Sequence, residues 1–380
     1  AQAPILELLA GAGLGMADLR RQLRRLAFEM VTAQLESPAE GQATLAALSE
    51  PPQVVARLTA LHPDADVRWA EQLLAALRRP GGLWQHRQSR IGWVHPLVQE
   101  YLAGNYLALD AQLVATVSRL VRRDTGWWPV IRWALAYRTH VLGEQQLAVA
   151  LAARLCPLEY PEEPADWQQV ALAGEILRIV GTPRLLQAGA LARDVLERVR
   201  ERLVLLVEEG RCSVIARAVA GDCLGELRDE RFADTPEALP AYFRQTLDTG
   251  QGFVRIGAGY CHLGWPAGAG SGSEYGNDEP LEIPYDYWIG RYPVTVAQYA
   301  GFMAMGGYRE PRWWSAGGRT WLAQGFETPA HWEQQRRFPN RPVTGVCWFE
   351  ADAYCRWLDA RLGDGEQGTG AYGLRLATEA

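Results

Sequence analysis

The chain has 380 residues, 48% of them apolar, and a formal net charge of −6; this is enough for two or three domains with substantial cores. Acidic and basic residues are interspersed, so no basic field exists to hold nucleic acid or an anionic membrane, and both are excluded as partners. All 38 basic residues are Arg, and without Lys this stretch can build neither a Walker A loop nor a Schiff base.

Six cysteines (Cys156, Cys212, Cys223, Cys261, Cys347 and Cys355) are scattered without a C-x-x-C pair or Cys/His ligand spacing, and are read as reduced, small core residues. Apolar runs such as Leu203 to Val207 fall short of the ~18 residues of a membrane span. The amino end lacks a basic n-region, so the expected location is cytoplasmic. The chain opens at Ala1 inside an apolar stretch and stops at Ala380 within what reads as a strand-to-helix motif; it is expected to be a fragment.

From Met16 to Met30, Leu19, Leu23, Leu26, Ala27 and Met30 recur at helical spacing, with Arg20, Arg21, Arg24 and Arg25 on the other face, predicting an amphipathic core helix. A second helix carries Leu73, Leu74 and Leu77 and stops at Pro80-Gly81-Gly82. Leu83 to Val94 then alternates around a polar centre as a hairpin would, and helices followed by a small hairpin predict a winged helix. From Asn105 to Asp248 only helical patterns occur. The clearest starts at Thr182 as N-cap with Pro183 next, ends before Gly210, and buries Ala188, Ala192, Val195, Leu196, Val199, Leu203 and Leu206. Such a stripe needs stacked neighbours. Trp127, Trp128 and Trp133 are read as core rather than a ligand cage. Phe232 to Pro240 reads as a linker, and limited proteolysis is expected to cut near residues 232–250.

The run Trp93-Val94-His95-Pro96-Leu97-Val98-Gln99-Glu100-Tyr101 resembles the end of the winged-helix module in NACHT-type (STAND) signal-transduction NTPases, in an aromatic-x-His-x-x-x-Gln-Glu-Tyr pattern. That resemblance implies that His95 senses nucleotide, ADP or ATP, held by a missing upstream domain, where an imidazole N–H can donate to a phosphate oxygen. Read from the residues alone, His95 is equally a structural anchor of the wing on the following helix. Ser213 to Phe232 resembles an Ala/Gly-rich HEAT-like helix.

Beyond residue 250, Phe253-Val254-Arg255-Ile256, a Gly257-Ala258-Gly259 turn and Tyr260-Cys261-His262-Leu263-Gly264 form an expected opening hairpin. After a Gly/Ser-rich loop come Asn277-Asp278-Glu279-Pro280, Tyr292-Pro293-Val294-Thr295, with Thr295 as a helix cap and Tyr299 and Phe302 on one face, then Arg341-Pro342-Val343 and Val346-Cys347-Trp348. A strand is expected to run there into a helix burying Ala353, Tyr354 and Trp357, and Arg375-Leu376-Ala377-Thr378-Glu379-Ala380 closes the series. In order, spacing and identity these blocks resemble the formylglycine-generating-enzyme (sulfatase-modifying factor) family, whose fold is related to C-type lectins.

The resulting fold class is multidomain. An all-α part, winged helix plus helical arm, precedes an α+β formylglycine-generating-enzyme/C-type-lectin-like domain that is incomplete at its C-terminus. The expected domains are 1–104, the winged-helix end of a NACHT-type module; 105–248, a HEAT-like arm; and 249–380, the first half of the formylglycine-generating-type domain. The resemblance implies a copper-binding cysteine pair and calcium ligands in the complete domain's second half, with neither Cys347 nor Cys355 equivalent to that pair. No catalytic or metal-binding residue is therefore assigned in this stretch, and no cofactor. The function expected is that of a regulatory fragment whose lectin-like domain acts as sensor or effector for a protein or small-molecule ligand, with self-association through the NTPase module. The alternative is a formylglycine-generating, thiol-oxidising enzyme acting on a cysteine of a sulfatase-like substrate.

Overall fold

Apolar residues at helical spacing fold as helices throughout the first part of the chain. The computed structural model describes residues 3–36, 51–79, 82–87, 90–233, 235, 237–250, 252–261, 280–362 and 373–377. They form two compact units, Ala1–Cys223 and Leu224–Ala380. The helical stop at Pro80-Gly81, the centre of the Leu83–Val94 hairpin, the Gly/Ser-rich loop with Asn277-Asp278-Glu279, residues 262–264 and Thr378-Glu379-Ala380 lie outside the described residues.

The first unit opens with α1 (Ala3–Gly11), α2 (Met16–Glu36), α3 (Pro51–Thr59) and α4 (Val67–Leu77). The predicted stripe of α2 is buried, Leu19, Leu23, Leu26, Ala27 and Met30 all included, while Arg25 pairs with Glu29 on the outer face at 2.9 Å. Asp66 caps α4 by accepting from the Arg68 and Trp69 amides, which satisfies two of the orphan donors of a helix start. The hairpin follows: β1 (Trp84–Arg87) pairs antiparallel with β2 (Arg90–Trp93). Its ends are joined by Trp84 and Trp93, which meet edge to face with ring centroids 5.2 Å apart.

Next are α5 (Pro96–Leu107), α6 (Leu113–Arg123), α7 (Trp128–Ala136), α8 (Gln145–Leu155), α9 (Pro164–Val180), α10 (Thr182–Gln187), α11 (Ala190–Glu208) and α12 (Val214–Leu227), the last crossing the division between the units. α9 is buried on nearly every side, Gln169 and Glu175 included, and those two are hydrogen-bonded, Gln169 to Asp166 and Glu175 to Arg132, as buried polar groups require. Gly174 admits a neighbour there, since a Cβ would stand 2.8 Å from Leu203 Cδ1 of α11. The single helix predicted from Thr182 to Gly210 is two: Gly189, at φ +100°, ends α10 and starts α11. Thr182 is the first residue of α10 rather than its cap, and Ala188 lies in the break. Trp127 and Trp128 are core, but Trp133 is 37% exposed and contacts Tyr101 edge to face, because Gly104 and the α7 backbone are packed beneath it.

In the second unit, the segment predicted as a linker, Phe232 to Pro240, runs into α13 (Leu239–Thr249), whose Leu239 and Phe243 belong to the buried core. Four short strands follow: β3 (Phe253–Ile256), β4 (Gly259–Cys261), β5 (Leu281–Ile283) and β6 (Tyr287–Gly290). The expected opening hairpin does not form, because β3 pairs with β6 and β4 with β5, both antiparallel. The two pairs make one kinked ribbon in which segment 253–261 runs against 281–290. The kink at Gly257-Ala258 is held by Asp286, whose carboxylate accepts from the Ala258 amide at 2.9 Å and from the Arg255 guanidinium. Turn residues thus bend a continuing strand instead of reversing it.

The helices α14 (Val296–Ala304), α15 (Ala316–Leu322), α16 (Trp332–Gln335) and α17 (Trp348–Leu362) complete the unit. The predicted inward faces are buried: Tyr299 and Phe302 on α14, and Ala353, Tyr354 and Trp357 on α17. The strand expected before α17 is reduced to extended chain bridged through Thr295 and Pro342, and residues 373–377 form neither strand nor helix.

Candidate functional site

The polar groups that converge inside the second unit lie where α14 meets α17. Thr295 builds the α14 end of this junction through a capping box, its hydroxyl accepting from the Gln298 amide at 3.2 Å and its own amide donating to Gln298 Oε1 at 3.0 Å. The next amides donate to the other strand of the junction, Val296 to the Arg341 carbonyl at 2.8 Å and Ala297 to that of Pro339 at 2.9 Å. The amides of Thr295, Val296, Ala297 and Gln298 thus all have partners, which a buried helix start requires.

Glu350 organises the α17 end. It is 2% exposed, and its carboxylate accepts from the Cys347 amide at 2.7 Å through Oε2 and from the Tyr308 hydroxyl through Oε1. The Tyr308 and Tyr299 hydroxyls are 3.2 Å apart. Trp314 closes the cluster by donating its indole N–H to the Gly307 carbonyl at 2.9 Å. Burial, followed by the neighbouring Tyr299 and Glu350, pushes the Tyr308 phenol far above its ordinary range. Burial likewise raises Tyr299 and Tyr354. These phenols keep their protons and act as hydrogen-bonding and packing groups: the Tyr299 and Tyr354 rings stack at 5.5 Å.

Glu350 and Tyr308 were not singled out from the sequence. A signal was present: Cys347-x-x-Glu350 has the capping-box spacing, with Cys where Ser or Thr is usual. A buried carboxylate serving two donors is also what makes Glu tolerable in this core.

Of the cysteines, Cys347 joins this junction through its backbone amide. Burial raises the Cys347 thiol, and Cys355 is pushed up to about 11 by burial, with Asp352 and Asp359 adding to it. Both are half-buried rather than fully in the core, because each sits at the margin of the inward face of its segment. A thiol that keeps its proton is a poor nucleophile. Among the described residues no group of three or more His, Cys, Asp or Glu is placed to hold a metal ion.

His95 is in the other unit. Its Nδ1 accepts from the Leu97 amide at 3.1 Å and caps α5, with Pro96 in the first turn. The imidazole is thereby a cap of the α5 start. No helix among the described residues is long and apolar enough to cross a membrane.

Comparison with known proteins gives these features a context. Residues 240–380 match the family model of the sulfatase-modifying factor enzyme 1-like domain. The chain is also similar to three curated proteins named hercynine oxygenase. It is 41% identical over 100 residues to that of Mycolicibacterium thermoresistibile, a match covering 23% of this chain and 22% of the relative. It is 38% identical over 102 residues to that of Mycolicibacterium smegmatis (23% of each) and 38% over 103 residues to that of Mycobacterium tuberculosis (23% and 24%). The chain thus spans under a quarter of the length of each relative it matches.

These findings overturn the expectation of a NACHT-type regulatory fragment using a lectin-like sensor, since the similar proteins are enzymes named for an oxygenase activity. The family match begins at residue 240 and lends no support to the NACHT, winged-helix or HEAT-like identities upstream of it. What the comparisons support is a sulfatase-modifying-factor-type domain at residues 240–380.

Proposed function

We propose that this chain is part of an oxidising enzyme in which residues 240–380 build the opening part of a formylglycine-generating-type domain. The observation that carries this reading is the 38–41% identity to three proteins named hercynine oxygenase. On this reading the reaction is an oxygen-dependent oxidation of a small molecule of the hercynine class. The contribution of the described residues is a framework: the Thr295 capping box and the Tyr308–Glu350–Cys347 junction hold α14 and α17 in one arrangement, as a reactive centre needs from its support. Protein partners, cytoplasmic location and the division into 1–104, 105–248 and 249–380 belong to the same proposal, supported by the helical patterns before residue 240 and the reduced cysteines.

The second reading is oxidation of a protein cysteine in a sulfatase-like substrate, favoured by the description of the matching family. The test is oxygen uptake and product mass with the intact protein, given hercynine in one arm and a cysteine-containing sulfatase-type peptide in the other. Uptake with a mass-shifted product from hercynine is expected. Uptake with the peptide alone would replace the first reading by the second, and none in either arm would overturn the enzyme.

A further inference from the structure

One face of α6 repeats Ala115, Ser118, Arg119 and Arg122 at helical spacing, opposite the buried Leu113, Val117, Leu120 and Val121. The small residues leave a hollow and the arginines rim it. Together with Arg123 at the end of α6, Arg154 of α8 and Gln169 of α9, they line a cleft of about 530 Å³ within the first unit. Arg123 is paired with Glu36 at 3.3 Å. Arg119, Arg122 and Arg154 have no carboxylate within ion-pair distance among the described residues. In a chain of net charge −6 this is a local inversion of sign: three guanidinium groups without an ion-pair partner line one cleft, with Asp110 acting on Arg119 from beyond ion-pair distance, and they repel one another until an anion enters.

The remaining lining groups narrow the ligand. The Ser118 hydroxyl is spent on the Val114 carbonyl at 2.8 Å, and the Gln169 amide donates to Asp166 at 3.1 Å. Recognition is left to the guanidinium forks, which match phosphate oxygens in bidentate geometry. No aromatic ring lines the cleft, so there is nothing on which a nucleobase could stack. The volume exceeds that of one tetrahedral anion, and the charges come from two helices.

We propose that this cleft binds a small oligophosphate anion through Arg119, Arg122 and Arg154. The experiment is calorimetric titration of the full chain with inorganic tripolyphosphate at low and physiological salt, with sulfate as the single-anion comparison. Saturable binding is expected, weaker at higher salt, with sulfate at least tenfold weaker. The Arg119→Gln/Arg154→Gln pair is expected to weaken binding at least tenfold. Ser118→Glu, which puts a carboxylate on the cleft floor, is expected to do the same. The Arg184→Gln/Arg193→Gln pair changes the net charge equally from exposed positions outside the cleft and is expected to leave affinity within twofold. Absence of saturable binding, sulfate binding as tightly as tripolyphosphate, or equal weakening by the two Arg pairs would overturn the site. None of these outcomes bears on the oxidising activity, which is read by oxygen uptake.

Discussion

Replacing Glu350 by Ala removes the acceptor of two donors at once, the Tyr308 hydroxyl and the Cys347 amide. A buried donor left unsatisfied costs about 1–3 kcal/mol. The two losses are not equal. Among the described residues the buried Tyr308 has the Tyr299 hydroxyl, 3.2 Å away, to turn to, whereas the amide of half-buried Cys347 has water within easier reach and counts at the low end. Deleting the carboxylate also relieves its own desolvation, which offsets part of the loss. The net expectation for Glu350→Ala is about 1.5–3 kcal/mol, and for Glu350→Gln, which keeps one acceptor but turns an N–H toward the other donor, about 1–2 kcal/mol. Because two units need not unfold as one transition, the measurement is hydrogen exchange of α14 and α17 peptides in the full chain, alongside denaturant unfolding. A cycle with Tyr308→Phe isolates the pair: in the Phe background Glu350→Ala should cost less, because one of its two clients is gone. A cost below about 0.5 kcal/mol, or equal costs in both backgrounds, would refute the claim that this carboxylate organises the junction.

Alkaline pH probes the same unit. Cys355 is pushed up to about 11 and Tyr242 up to about 12, both chiefly by burial, so their folded values lie above those of the unfolded chain. Each contribution is complete below the unfolded value, about 8.5 for a thiol and about 10 for a phenol, and is lost as pH rises toward the folded one. Stability of the second unit should therefore fall from about pH 8.5 upward, and Cys355→Ala should flatten the first part of that fall; a denaturant midpoint constant between pH 8 and 11 would contradict this. Gly345→Ala should cost about 2–4 kcal/mol, since Gly345 has φ +66° and a Cβ there would stand 2.7 Å from the Ala330 carbonyl oxygen. Gly143→Ala, at φ +74° with nothing within 4 Å, should show only the backbone cost of about 1–2 kcal/mol. Equal thermal shifts, after correction for unit size, would rule out the close approach.

Local rules made much of this protein legible in its amino-acid order. The buried stripe of α2, the Thr295 cap, the inward pairs Tyr299/Phe302 and Tyr354/Trp357, and the hairpin closed by Trp84 and Trp93 all follow from period and capping chemistry, which act over a few residues. The same blocks of residues carried the resemblance that the match over 240–380 supports. Regulatory function was misjudged because it was inferred from upstream resemblances, and no physical constraint ties a helical region to one activity.

Tertiary structure decided the rest, because pairing partners and burial depend on residues far apart in sequence. Gly257-Ala258 was compatible with a reversal or a kink, and Asp286, 28 residues on, selected the kink. The Phe232–Pro240 segment looked like a linker, yet Ala233 and Leu239 found a core to enter. A charged residue at position 350 could have faced water. It is buried because the Tyr308 hydroxyl, 42 residues away, and the Cys347 amide together supply the hydrogen bonds that a carboxylate requires once it leaves solvent.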